Sequence, residues 1–199
     1  GAAYSIKNLE KKPGKKSPAP PFTTSSMQQE ASIKLGFSVS QTMTLAQRLY
    51  ENGKISYMRT DSLNLSEHAL QIAKKEIINT YGEPYSKTRR YKTKSQTAQE
   101  AHEAIRPTDF TVHNASTDRN QQRLYELILK RAIASQMADA QIEKTIATIA
   151  ISTVTQTLTA TGEVIKFDGF LKVYTESAGE ENLPADLHHI QGRGDWKTS

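Results

Sequence analysis

The sequence predicts an α+β chain: a mainly helical stretch followed by a small antiparallel β unit. Three observations predict it. Apolar residues recur at helical spacing between Met27 and Met137. Near residue 140 the pattern changes to the two-residue alternation of strands, in a run rich in Ile, Thr and Val. A breaker-rich stretch holding Pro13, Gly14, Pro18, Pro20 and Pro21 separates the helices from the first residues. The expected divisions are 1–17, a strand and linker; 18–139, helical; 140–176, strands; and 177–199, a polar tail.

Taken in order, Tyr4 to Ile6 reads as a short strand. Residues 7–16 hold five lysines against one glutamate and read as a solvated linker, with contact to backbone phosphates as the alternative. Ser26 is the expected N-cap of the first helix, with Gln29 completing a capping box and Gly36 ending the helix. A second helix starts after Ser40, runs through Leu45, Ala46, Leu49 and Tyr50, and ends near Gly53. Two short helices joined by a turn give a helix-turn-helix-like arrangement. Ser66 caps a third helix that Tyr81-Gly82 ends. Lys87 to Lys94 carries five basic residues, no acid, and the interleaved Tyr91, so it is either a plain basic loop or one that tracks a nucleic-acid strand. Asp118 opens a long core helix. Beyond residue 140 three or four strands are expected: Thr145–Val154, 156–161 with a turn at Gly162, Val164–Phe167, and Phe170–Tyr174. The residues after Ser177 read as loop.

Composition narrows the function. Of 199 residues, 36% are hydrophobic, and the net charge of +5 tilts toward an anionic partner. The absence of cysteine excludes disulfides and thiolate-bound zinc and agrees with a reducing cytoplasm. The five histidines lack metal-ligand spacing. No apolar run approaches the ~18 residues of a membrane span. The chain opens on Gly1 without a signal peptide and reads as a processed or excised piece.

Two polar clusters interrupt the apolar pattern. In Ile55-Ser56-Tyr57-Met58-Arg59-Thr60-Asp61-Ser62, extended backbone puts Tyr57, Arg59 and Asp61 on one side. A guanidinium holds phosphate bidentately, and a phenol can attack it to form a phosphotyrosine ester. Such residues are also ordinary surface residues, and the string reads equally as a loop that caps a helix. In Gln99-Glu100-Ala101-His102-Glu103-Ala104-Ile105-Arg106-Pro107, His102, Glu103 and Arg106 fall within about one helical turn. A lone histidine is usually a surface or structural residue.

The string Tyr57-Met58-Arg59-Thr60-Asp61-Ser62 resembles the active-site signature of type IA DNA topoisomerases. The stretches Ala19–Ser25, Met27–Ser32, Lys34–Phe37, Ala46–Glu51, Gln99–Pro107 and Phe167–Phe170 resemble that family in the same order, covering roughly residues 10 to 175. The resemblance implies that Tyr57 forms a 5′-phosphotyrosyl bond with single-stranded DNA, and that Arg59 contacts the scissile phosphate. It also implies that His102 belongs to the active-site region, and that Gln47, Glu51, Thr60 and Asp61 are polar positions near the DNA. A free phenol has a pKa of about 10, so it needs help at neutral pH, which an arginine can give.

In the family, magnesium is held by an acidic cluster in a separate Toprim domain. No Asp-x-Asp occurs in this chain, so the resemblance implies no metal site here. It also implies a bacterial, nucleoid-associated protein with no membrane partner, whose remaining domains belong to the same polypeptide. The helical tyrosine domain is expected to be inserted into a β-rich arch, with the strand near Tyr4 pairing with the strands after residue 140. The chain by itself is then expected to be inactive. A non-catalytic helix-turn-helix DNA-binding module and an interaction scaffold are the competing classes; neither needs Tyr57-Met58-Arg59.

Overall fold

A computed structural model describes residues 1–92, 103–175 and, as backbone, 195–198. The first helix, α1 (Thr24–Leu35), is capped by Thr23. The Thr23 hydroxyl accepts from the Ser26 N–H, and the Ser26 hydroxyl accepts from the Thr23 N–H at 2.9 Å. Ser26, the expected cap, is therefore the third residue of the helix and the other half of the capping box. Gly36 ends α1 at φ 71°, a left-handed conformation that costs glycine little.

Helix α2 (Val39–Glu51) starts at the Ser38 cap, earlier than the expected start after Ser40. It buries Thr42, Leu45, Ala46 and Leu49, one stripe at helical spacing. Helix α3 (Glu67–Tyr81) is capped by Ser66 and buries Ala69, Leu70, Ala73 and Ile77. Helix α4 (Arg119–Ser135) opens on Asp118, whose carboxylate accepts from the Gln121 N–H at 2.8 Å. Apolar side chains on several of its faces are buried, and it packs against α1 and α2.

The strands are β1 (Tyr4–Lys16), β2 (Ala140–Ile151), β3 (Thr157–Phe167) and β4 (Asp195–Thr198). They form one antiparallel sheet in that order. β1 pairs along its length with β2, from Tyr4 opposite Ile151 to Lys16 opposite Ala140. The run read as a linker, residues 7–16, is thus strand. The misreading has a physical cause, because β1 is an edge strand of the described sheet, where proline is tolerated. Gly14 is needed for closeness: a Cβ there would lie 3.0 Å from Ile142 Cγ1. The lysines answer acids elsewhere in the sheet, Lys11 with Glu143 of the adjacent β2 at 3.4 Å and Lys16 with Glu163 of β3, one strand further, at 3.1 Å.

Three further expectations are corrected. Gly162 makes no turn but lies inside β3 opposite Thr145. Phe170–Tyr174 is not a strand: a 3-10 turn (Gly169–Leu171) leads into the short helix α5 (Lys172–Thr175). Gly169 sits at φ 52°, and a Cβ there would meet the Ala138 and Asp139 carbonyl oxygens at 2.6 Å. This sharp turn takes Phe170, Leu171, Val173 and Tyr174 away from the sheet and into the helical core. Within the polar tail, Asp195–Thr198 is strand rather than loop.

Candidate active site

Ile55 to Asn64 lies between α2 and α3 and is held from two sides. On one side, Ser56 binds the segment 103–107. Its N–H donates to the Arg106 carbonyl at 2.8 Å, its hydroxyl donates to the Ala104 carbonyl at 3.0 Å, and the same hydroxyl accepts from the Arg106 N–H at 3.0 Å. On the other side, Thr24 at the start of α1 binds Met58 and Thr60. Between these clamps, Ile55 and Met58 are buried in the core, and Tyr57, Arg59 and Asp61 are exposed. The core thus grips alternate parts of the segment and leaves the phenol, guanidinium and carboxylate on the solvent side.

Tyr57 is 47% exposed, which leaves its hydroxyl reachable. Its ring meets the Tyr50 ring edge-on at 5.3 Å between centroids, a geometry favoured by the ring quadrupoles. Tyr50 lies on the same turn of α2 as Gln47 and Glu51, so these three share a face. Gln47 Nε2 donates to Glu51 Oε1 at 2.7 Å. Thr60 is half-buried: its backbone is bound to Thr24, and its hydroxyl accepts from the Ser62 N–H at 3.1 Å. The Arg59 and Asp61 side chains make no hydrogen bond or ion pair with another described residue. His102 lies outside the described residues, as does Lys94.

Residues 103–107, the described part of the second cluster, form no helix, yet Glu103 and Arg106 still meet. Arg106 Nε and Nη2 bind the two carboxylate oxygens at 2.6 and 3.0 Å. Glu103 Oε1 also accepts from the N–H and hydroxyl of Ser66, both at 2.9 Å. Burial of the Glu103 carboxyl opposes its ionisation, but the Arg106 and Ser66 hydrogen bonds outweigh it and hold the pKa below the usual range. This carboxylate pins the segment to the N-terminus of α3.

The basic loop is largely engaged with the protein. Lys87 and Arg89 bind the two oxygens of buried Asp139 at 2.8 Å each, and Arg90 pairs with Glu67. Burial works against the Asp139 charge, but hydrogen bonds from Lys87, Ser17 and Arg89 keep its pKa well below the ordinary range. Tyr91 donates to the Ser135 carbonyl at 2.8 Å, and burial pushes its pKa up to about 12. These contacts tie Lys87 and Arg89 to Asp139 at the start of β2, Arg90 to α3 and Tyr91 to the end of α4.

Thr24, Ser56 and Tyr50 were not expected as site residues. Thr24 reads in sequence as part of a capping run, and its partners lie 34 and 36 residues away. The nearest signal for Tyr50 is its place one turn before the glycine that leads into the signature.

Among the described residues, no group of three or more His, Cys, Asp or Glu converges to hold a metal ion. No described helix is long and apolar enough to cross a membrane. A cleft of about 650 Å³ lies elsewhere, between α1, α3, α4 and α5, with Lys34, Arg123 and Lys130 among its walls and none of the signature residues.

A DNA topoisomerase family profile matches residues 1–192, and the chain belongs to that family. It is 50% identical over 179 residues to DNA topoisomerase 1 of Zymomonas mobilis, covering 89% of this chain and 15% of that protein. It is 44% identical to DNA topoisomerase 1 of Synechocystis over 195 residues, 96% of this chain and 22% of that one. The full-length topoisomerase I structure from Thermotoga maritima matches with a TM-score of 0.76 and 34% identity, over 98% of this chain and 32% of that one. The chain thus spans less than a third of each of these relatives.

Proposed function

We propose that this chain carries the nucleophile of a type IA DNA topoisomerase. The observation that carries the reading is the exposure of Tyr57 and Arg59 on the same side of a segment fixed by Ser56 and Thr24. The Tyr57 oxygen attacks a phosphodiester of single-stranded DNA. The new bond joins that oxygen to the 5′-phosphate, the bond to the neighbouring sugar's 3′-oxygen breaks, and the 3′-hydroxyl leaves with a proton. Arg59 meets the phosphate and offsets the charge that builds on its oxygens. His102 belongs to the same region, and Gln47, Glu51, Thr60 and Asp61 contact the DNA beside it.

Reversal of the attack reseals the strand, and the ester keeps the bond's energy, so no ATP is needed. The tethered end permits strand passage before resealing. In this reading residues 18–139 are the tyrosine domain, and 1–17 with 140–176 belong to the arch that carries it. The full-length protein is bacterial and nucleoid-associated, and its other domains complete the cleft. The chain by itself relaxes no DNA.

The test is relaxation of a supercoiled plasmid by the full-length protein. Tyr57→Phe is expected to abolish relaxation while DNA binding stays near that of the unsubstituted protein, because only a hydroxyl is lost. Relaxation by the phenylalanine variant would refute the assignment.

A further inference from the structure

Arg59 has no described protein partner for its guanidinium, so its aim is inherited from its own backbone. That backbone is held by one side chain. The Thr24 hydroxyl donates to the Met58 carbonyl at 2.8 Å and accepts from the Thr60 N–H at 2.9 Å. The first group belongs to the peptide before Arg59, and the second to the peptide after it. A single hydroxyl therefore fixes both peptide planes that flank the Arg59 Cα.

Thr24 is itself well placed to act as a reference point. It is the first residue of α1, behind the reciprocal Thr23–Ser26 cap. The N–H of a first helical residue has no partner inside the helix; that of Thr24 donates to the Thr60 carbonyl at 2.9 Å. Phe22, two residues before, is fully buried and bridges to Ile105. The rigid N-terminus of α1 is thus tied to the 57–60 backbone through both a main-chain and a side-chain group.

We infer that Thr24 is a positioning residue for the reaction, orienting Arg59 toward the DNA phosphate through its hydroxyl. The inference rests on the proposed role of Arg59. Loss of the hydroxyl leaves the main-chain bond from Thr24 to Thr60 in place, so the fold persists while the two peptides beside Arg59 lose their common anchor.

The test measures single-turnover cleavage of a single-stranded oligonucleotide by the full-length protein, together with its Kd. Thr24→Val keeps the branched shape and removes the hydroxyl. It is expected to slow cleavage about tenfold to 100-fold, the scale of a small misplacement of a reacting group, with Kd changed by less than about twofold. Thr24→Ser, which keeps the hydroxyl, is expected to restore most of the rate. In an Arg59→Ala background, Thr24→Val is expected to add nothing, because the residue that it orients is gone. Should the valine variant fail to fold, Thr24→Ala takes its place. Cleavage by Thr24→Val at the unsubstituted rate, or an equal loss with and without Arg59, would overturn the inference. Tyr57→Phe is run alongside: cleavage by that variant would overturn the proposed function itself, whatever Thr24 does.

Discussion

Arg59 is fixed at its backbone and, among the described residues, free at its tip, the arrangement suited to a group that meets its partner only when substrate arrives. Arg59→Ala is expected to reduce strand cleavage by about 3–4 kcal/mol in activation free energy, the usual loss for a transition-state charge donor. Arg59→Lys keeps the charge but not the planar fork, so its loss should be smaller. Oligonucleotide cleavage rates measure both, and an alanine variant at the unsubstituted rate would make Arg59 a surface residue. At this scale the sequence was legible where a residue's placement is decided locally. Tyr57, Arg59 and Asp61 stand at alternate positions, and strand periodicity alone puts them on one side. Thr24 and Ser56 were not legible as clamps, because their partners lie 34 to 50 residues away and a hydroxyl carries no signal of a distant bond.

The elements divide in the same way. Caps at Ser66 and Asp118 and the stop at Gly36 were legible, since a helix end is decided within a few residues. The start of β1, Tyr4–Ile6, and its pairing with the strands after residue 140 were legible, but its continuation to Lys16 was hidden, because Pro13, Gly14 and the lysines mimic a linker until β2 lies beside them. The segment 103–107 is placed by contacts rather than by its own propensity, and Glu103 is its main anchor. Glu103→Gln is expected to cost about 2 kcal/mol of stability, the scale of hydrogen bonds to a charged group. The folded pKa of Glu103 is depressed, so its contribution is fully present above the ordinary carboxylate pKa and is lost as pH falls through the folded value. Unsubstituted and Glu103→Gln proteins should therefore converge in stability as pH falls below the ordinary carboxylate range, about 4. Thermal unfolding across that range checks it; a gap that persists at the acid end would assign the effect to packing instead.

At the scale of the whole molecule, one turn returns the chain from the sheet to the helical core. Gly169 reverses the chain after β3 and sends Phe170, Leu171, Val173 and Tyr174 inward. A methyl group there collides with two carbonyl oxygens at an unfavourable φ, so Gly169→Ala is expected to destabilise the chain by roughly 2–4 kcal/mol. Denaturant unfolding measures this, and a change below about 1 kcal/mol would show that the turn relaxes freely. The α+β class and the change of character near residue 140 were legible from periodicity, whereas the helical turn at Phe170 was not, because its apolar residues form a short, nearly continuous run as a buried strand's do. The central claim is that all of this architecture presents Tyr57 to a DNA phosphate. The most direct measurement traps the full-length protein on single-stranded oligonucleotide, digests the complex and locates the nucleotide adduct by mass spectrometry. The account predicts the adduct on the Tyr57 oxygen, with the 5′-phosphate attached; an adduct on any other residue, or one through the 3′-phosphate, would contradict it.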